Sequence, residues 1–224
     1  MKEINEIIKI EKAKIDNKIQ AKIEKFQKDS DGSLADIIEA CEYSLKAGGK
    51  RIRPILTVKV AEMLEGNKNA AYDLGIALEF IHTYSLIHDD LPCMDDDKIR
   101  RGKISTHIKF GESTAVLAGN SLLTMAFEIL VSSSLKINEK IKVDLVKKLS
   151  ETSGHLGIAG GQYLDLSFEK KKVSKSKIID MEIKKTGKLF SFCCAVPVVI
   201  KRKSNTQIKF FEKFRQNDEL FLSI

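Results

Sequence analysis

Apolar residues recur at helical spacing along most of the chain, beginning with Ile4, Ile7, Ile8, Ile15, Ile19 and Ile23 among lysines and glutamates. This spacing predicts an amphipathic helix over residues 1–27 with one face in water. Ser33 followed by Asp36 reads as a capping-box-like helix start, with Asp in the usual Glu position, and Gly48 with Gly49 as that helix's stop. Pro54 suits the first turn of a third helix ending near Gly66, and these flanking signals outweigh the β-branched run ILTVKV, which alone would suit a strand. Residues 69–88 are apolar on nearly every side, so they predict a core helix surrounded by others. Residues 115–131 read the same way. There Gly119 permits close approach, and Asn120, Thr124 and Glu128 form a polar stripe at four-residue spacing. Further helices are expected at about 138–163 and 176–200. With no alternating strand pattern, the expected fold class is an all-α antiparallel helix bundle.

Composition narrows the picture. At 224 residues with three prolines and no glycine- or serine-rich linker, the chain is expected to form a single domain over 1–224. The formal net charge is +7, yet lysines and glutamates alternate rather than gathering on one face. The basic runs at 170–172 and 201–203 lack aromatic stacking partners and there is no tryptophan, so no nucleic-acid partner is expected. Cys41, Cys93, Cys193 and Cys194 form no C-x-x-C pair and fit a reducing cytoplasm. The N-terminus resembles neither a signal nor a transit peptide. The most apolar run, 115–131, is broken by five small or polar residues and falls short of the ~20 residues of a span. A cytoplasmic protein with no transmembrane segment is the expectation.

The chemistry concentrates in HDDLPCMDDDKIRRGK, residues 88–103, where Asp89, Asp90, Asp95, Asp96 and Asp97 crowd together ahead of Arg100 and Arg101. Each added carboxylate raises the cost of ionising the others, so a cation must compensate or some must protonate. Pro92 should end the preceding helix near Leu91, leaving Asp89 and Asp90 on its last turn while the loop brings Asp95 back alongside. Carboxylates without imidazole or thiolate suit Mg²⁺, which keeps waters and bridges to phosphates. An EF-hand is excluded, because the positions needing glycine and glutamate hold Met94 and Arg100. A solvated loop is the plain alternative for Asp95–Asp97, but two following arginines fit a phosphate gripped jointly with the metal. His82, seven residues before Asp89, shares its helical face, although a histidine alone in a core helix is usually a structural one. GGKRIRP at 48–54 places Lys50, Arg51 and Arg53 at a helix start, a ready anion site or merely a surface turn.

Together GGKRIRP, the Asp-rich segment, GGQYLDL and KKTGKLF resemble the trans-prenyltransferase (polyprenyl diphosphate synthase) family, and more narrowly its bacterial farnesyl diphosphate synthases. The resemblance covers about residues 30–200 and implies the isoprenoid synthase type of helix bundle. It also implies Mg²⁺-dependent head-to-tail condensation of isopentenyl diphosphate with an allylic diphosphate, dimethylallyl or geranyl, by a homodimer. By resemblance, Asp89 and Asp95 ligate Mg²⁺ with Asp90 assisting. Arg100 holds the allylic diphosphate; Lys50, Arg53, His82 and Arg101 hold isopentenyl diphosphate. Lys185 and Thr186 stand at the allylic end, where Gly187 permits a helix break, and Gln162 and Asp165 line the cavity. Tyr84 and Ser85, a bulky and a small residue five and four before Asp89, resemble enzymes that stop at fifteen carbons; geranyl and geranylgeranyl products stay open. The family's second Asp-rich motif is expected beyond FEKF at 211–214, where only Asp218 and Glu219 occur. A break near Phe214, with C-terminal helices missing and activity impaired, is the expectation. Two other readings stay open. One is a non-catalytic prenyl-synthase-like partner subunit. The other is a metal phosphohydrolase of the histidine-aspartate type using His82, His88 and Asp89.

Overall fold

The structure, a computed structural model, describes residues 2–29, 32–201 and 205–213. The expected break at Phe214, together with Asp218 and Glu219, lies outside them. The described chain is all-α apart from one short ribbon. In order it forms α1 (Lys2–Lys28), α2 (Ala35–Leu45), α3 (Ile52–Met63) and α4 (Lys68–Asp89), then strands β1 (Ile99–Arg100) and β2 (Lys103–Ile104). There follow α5 (Thr106–Phe110), α6 (Glu112–Val131), α7 (Glu139–Ser153), α8 (Ile158–Phe168), α9 (Lys175–Glu182), a π-turn at Ile183–Gly187, α10 (Lys188–Ile200) and α11 (Asn205–Lys213). The helical reading of ILTVKV holds, and Pro54 sits in the first turn of α3 as its missing N–H allows.

Helix α2 starts at Ala35, two residues after Ser33. Two local expectations are corrected. The helix expected over 138–163 is two, because the chain leaves α7 at Gly154 and re-enters at Gly157; a Cβ on Gly157 would collide with the Thr152 carbonyl. A sequence without period-two alternation nonetheless makes a ribbon, whose two residue pairs, Ile99 with Ile104 and Arg100 with Lys103, are too short to show a period.

The described residues fall into two compact units, those within 1–55 with 76–129, and those within 56–75 with 130–213. In the first, α1 packs on α2 and α2 on α5. Ile15, Ile19 and Ile23 are buried as their spacing predicts, whereas Ile4, Ile7 and Ile10 remain exposed. Phe80, Ile81, Tyr84 and Ile87 of α4 are buried, and a Cβ on Gly119 of α6 would collide with the His88 ring. Among the described helices, only α6 is long and apolar enough to cross a membrane. Its Ala115, Ala118, Leu122, Ala126 and Ile129 are buried, while Val116, Leu117 and Val131 are exposed. In the second unit α10 packs on α7 and α11, and α8 packs on α9 and the π-turn.

Candidate active site

The first unit gathers a cluster of arginines around His82. The loop that leaves α2 turns at Gly48 and Gly49, both with left-handed φ, and Arg51 also adopts φ 53 before α3 begins. This turn aims Arg51 inward. Its guanidinium, 5% exposed, meets Asp16 of α1 at 2.8 Å, Glu79 of α4 at 2.7 Å and the Leu45 carbonyl. Arg51 is therefore committed to the fold rather than to a ligand.

The ribbon delivers the other two arginines. Arg100 donates from Nε to Asp90 Oδ1 at 2.8 Å, and from Nη2 both to the same oxygen and to Asp97 Oδ2, the latter at 2.8 Å. Arg101 donates from Nη1 to the Gly48 carbonyl and from Nη2 to His82 Nε2, the latter at 3.2 Å. Gly49 suits its φ of 124, which strains any other residue, and a side chain there would displace the Arg101 guanidinium. Since a guanidinium only donates, His82 Nε2 is the acceptor and the ring proton sits on Nδ1. Burial pushes the His82 pKa well below its ordinary value, and the neighbouring Arg53, Arg101, Arg51 and Arg100 push the same way. The imidazole is neutral at pH 7 and serves Arg101 as a hydrogen-bond acceptor.

Arg51 and Arg100 are balanced by carboxylates, but both hydrogen bonds of Arg101 go to neutral acceptors. Burial, then the repulsion of Arg51 and Arg100, lower its pKa against the attraction of Glu79. Lys50 adds an exposed ammonium on the same loop. This corner carries positive potential that an anion would relieve. Arg53, His82 and Arg101, named from sequence, are thus brought together.

The Asp-rich loop closes as expected. Helix α4 ends at Asp89, and the Asp95 amide donates back to the Asp89 carbonyl at 2.9 Å. Leu91 O caps the turn by accepting from Met94 and Asp96 amides at 2.9 and 3.1 Å. Asp90 points inward, 3% exposed, where it anchors Arg100, while Asp95 is exposed. Among the described residues no three His, Cys, Asp or Glu side chains gather into a metal cage. Mg²⁺ does not need one: it is held by one or two carboxylates with waters and phosphate oxygens, which Asp89 and Asp95 at a loop mouth can satisfy. His88 instead meets the Val116 carbonyl at 3.1 Å and Tyr84 edge-on at 5.7 Å, so the two histidines serve different partners.

Tyr84 lies buried one turn before Asp89, its phenol pushed up to about 12 by burial and then by the Asp89 charge. Ser85 is half-buried, its hydroxyl donating to the His82 carbonyl at 2.9 Å.

In the second unit, Lys185 Nζ meets Asp165 Oδ2 at 2.6 Å, and Gln162 is buried on the same helix as Asp165. Lys185 and Thr186 occupy the π-turn. The expected helix break at Gly187 is corrected: Gly187 has helical φ, and the wide turn runs directly into α10. The glycine that matters is Gly161 of α8, where a Cβ would strike the Lys185 backbone. Sequence reasoning passed over Gly161 and Glu79, and gave Asp97 no arginine partner. An acid inside the apolar stretch LGIALEFIH was the available signal for Glu79.

Comparison with known proteins identifies the family. A family model described as Polyprenyl synthetase matches residues 35–217. The chain is 44% identical over 186 residues to a farnesyl diphosphate synthase from Micrococcus luteus, covering 83% of this chain and 63% of that protein. It is 43% identical over 159 residues to a farnesyl diphosphate synthase from Bacillus subtilis, covering 70% and 54%. Its structure superimposes on an FPP/GFPP synthase from Zymomonas mobilis, in the apo state, with TM-score 0.87 and 33% identity over 93% of this chain and 76% of that one. The chain thus spans less than two thirds of the length of the curated relatives it matches. With the family model matched across most of its length and its fold shared with a solved synthase, the chain belongs to the polyprenyl synthetase family.

Proposed function

We propose that this chain carries the diphosphate-binding chemistry of a prenyl chain-elongating synthase, in which isopentenyl diphosphate is joined to dimethylallyl or geranyl diphosphate to give farnesyl diphosphate. The observation that carries the reading is the convergence of Arg53 and Arg101 on a neutral His82, beside Lys50, with the hydrogen bonds of Arg101 going to a carbonyl and an imidazole rather than to a carboxylate. Lys50, Arg53, His82 and Arg101 hold isopentenyl diphosphate. Arg100, pre-oriented by Asp90, holds the allylic diphosphate, and Lys185 and Thr186, with Gln162 and Asp165, are the second unit's candidate substrate-binding residues. Asp89 and Asp95, with Asp90 behind them, would hold Mg²⁺, which when bound supplies Lewis-acid neutralisation of the leaving pyrophosphate.

In the reaction the allylic C–O bond breaks and pyrophosphate departs with the electron pair. The isopentenyl double bond then forms the new C–C bond, and a proton is lost. The chain's task is to fix both diphosphates in cationic clamps and keep water from the carbocation. Tyr84, bulky and buried, with the smaller Ser85 behind it, supports a product of fifteen carbons. Exposed Val116 and Leu117 on α6 support a homodimer, and the cysteines support a cytoplasmic site.

The test is to incubate the purified chain with Mg²⁺, geranyl diphosphate and labelled isopentenyl diphosphate and to resolve the products by chromatography. Labelled farnesyl diphosphate is the expected result. Binding of both substrates without turnover would instead mark a non-catalytic partner subunit, and no binding would remove the reading.

A further inference from the structure

We infer that Tyr43 and Ser44, at the end of α2, are positioning residues for the arginine ribbon and through it for the diphosphate clamp; the inference rests on the function proposed above. A ribbon of two residue pairs does not hold its own shape in water. Here it is tied along one side to a single segment, residues 43–48. The Tyr43 hydroxyl donates to the Ile104 carbonyl at 2.7 Å, and the Ser44 and Thr106 hydroxyls meet at 2.7 Å. Lys103 Nζ donates to the Lys46 carbonyl at 3.1 Å, and Arg101 donates to that of Gly48.

The register turns these ties into control of the arginines. Ile104 pairs with Ile99, and Lys103 with Arg100, so holding Ile104 and Thr106 fixes the strand that carries Arg100 and the turn that carries Arg101. The Tyr43 ring is itself fixed, edge-on to Phe110 at 5.4 Å and under the Lys109 ammonium at 4.2 Å. The same segment runs on into Gly49 and Lys50, so one anchor sets the spacing between Lys50 and Arg101. Neither Tyr43 nor Ser44 belongs to the cationic cluster. Their effect passes through Ile104 and Thr106.

The experiment uses the full chain with Tyr43→Phe, Ser44→Ala and both together, since Tyr43→Phe keeps the ring contacts and removes only the hydroxyl. Three quantities are read: hydrogen exchange over residues 99–106, calorimetric affinity for inorganic pyrophosphate with Mg²⁺ well below the melting temperature, and the melting temperature. The expected result is faster exchange in the ribbon with unchanged protection in α4, and on the order of tenfold weaker binding by the double variant, the equivalent of about 1.4 kcal/mol. A merely structural role would lower the melt and leave the affinity of the folded protein as it was. Wild-type binding with equal affinity in the variants, or unchanged ribbon exchange, overturns the inference alone. A wild-type chain that does not bind pyrophosphate overturns the functional reading and this inference with it.

Discussion

His82 shows how one buried residue ties stability to pH. Its folded pKa lies well below the ordinary value, so between the two the unfolded chain binds a proton that the folded chain does not. Stability therefore rises with pH up to roughly 6.5 and levels off above it, and falls as pH drops through that value. Replacing His82 by Asn should flatten the loss between pH 6.5 and 5, as read by urea midpoints at each pH. Glu79 has a different role. It is 2% exposed and holds Arg51 at 2.7 Å, so Glu79→Ala leaves a guanidinium buried with only Asp16 as its counter-charge. A loss of about 3–5 kcal/mol in chemical denaturation is expected. Tyr84→Ala, removing bulk one turn before Asp89, should shift any product beyond fifteen carbons.

At the scale of elements, the helices were legible because their signals are local. Ile15, Ile19 and Ile23 lie on one buried stripe, and the all-round apolarity of 69–88 announced α4. What was hidden depends on contacts between segments distant in sequence. The split between α7 and α8 turns on the Gly157 approach to the Thr152 carbonyl, and the π-turn on Gly161 lying against the Lys185 backbone. A single sequence gives no sign of which glycine is pressed and which is free. Gly161→Ala should push the π-turn away from α8, at a cost of about 1–3 kcal/mol for overpacking. Thermal melts and faster amide exchange at 183–187 would read it. The ribbon was hidden for another reason: its two residue pairs are held by Tyr43 and Ser44 rather than by alternation.

At the scale of the molecule, the net charge of +7 reads as solvated lysine and glutamate until the fold sorts it. Folding pairs Arg51 and Arg100 with carboxylates while Arg101 is turned toward a neutral imidazole, and that difference in partners was invisible in the run of charges. The motifs identified which residues to watch. They left open that Asp90 faces Arg100 and that Arg51 is structural. The most direct test of the account is calorimetric titration of the chain with isopentenyl diphosphate, beside Arg101→Met. The account predicts one saturable site, weakened about tenfold, or about 1.4 kcal/mol, by the substitution. Absence of saturable binding, or equal affinity in the Arg101→Met chain, would contradict it.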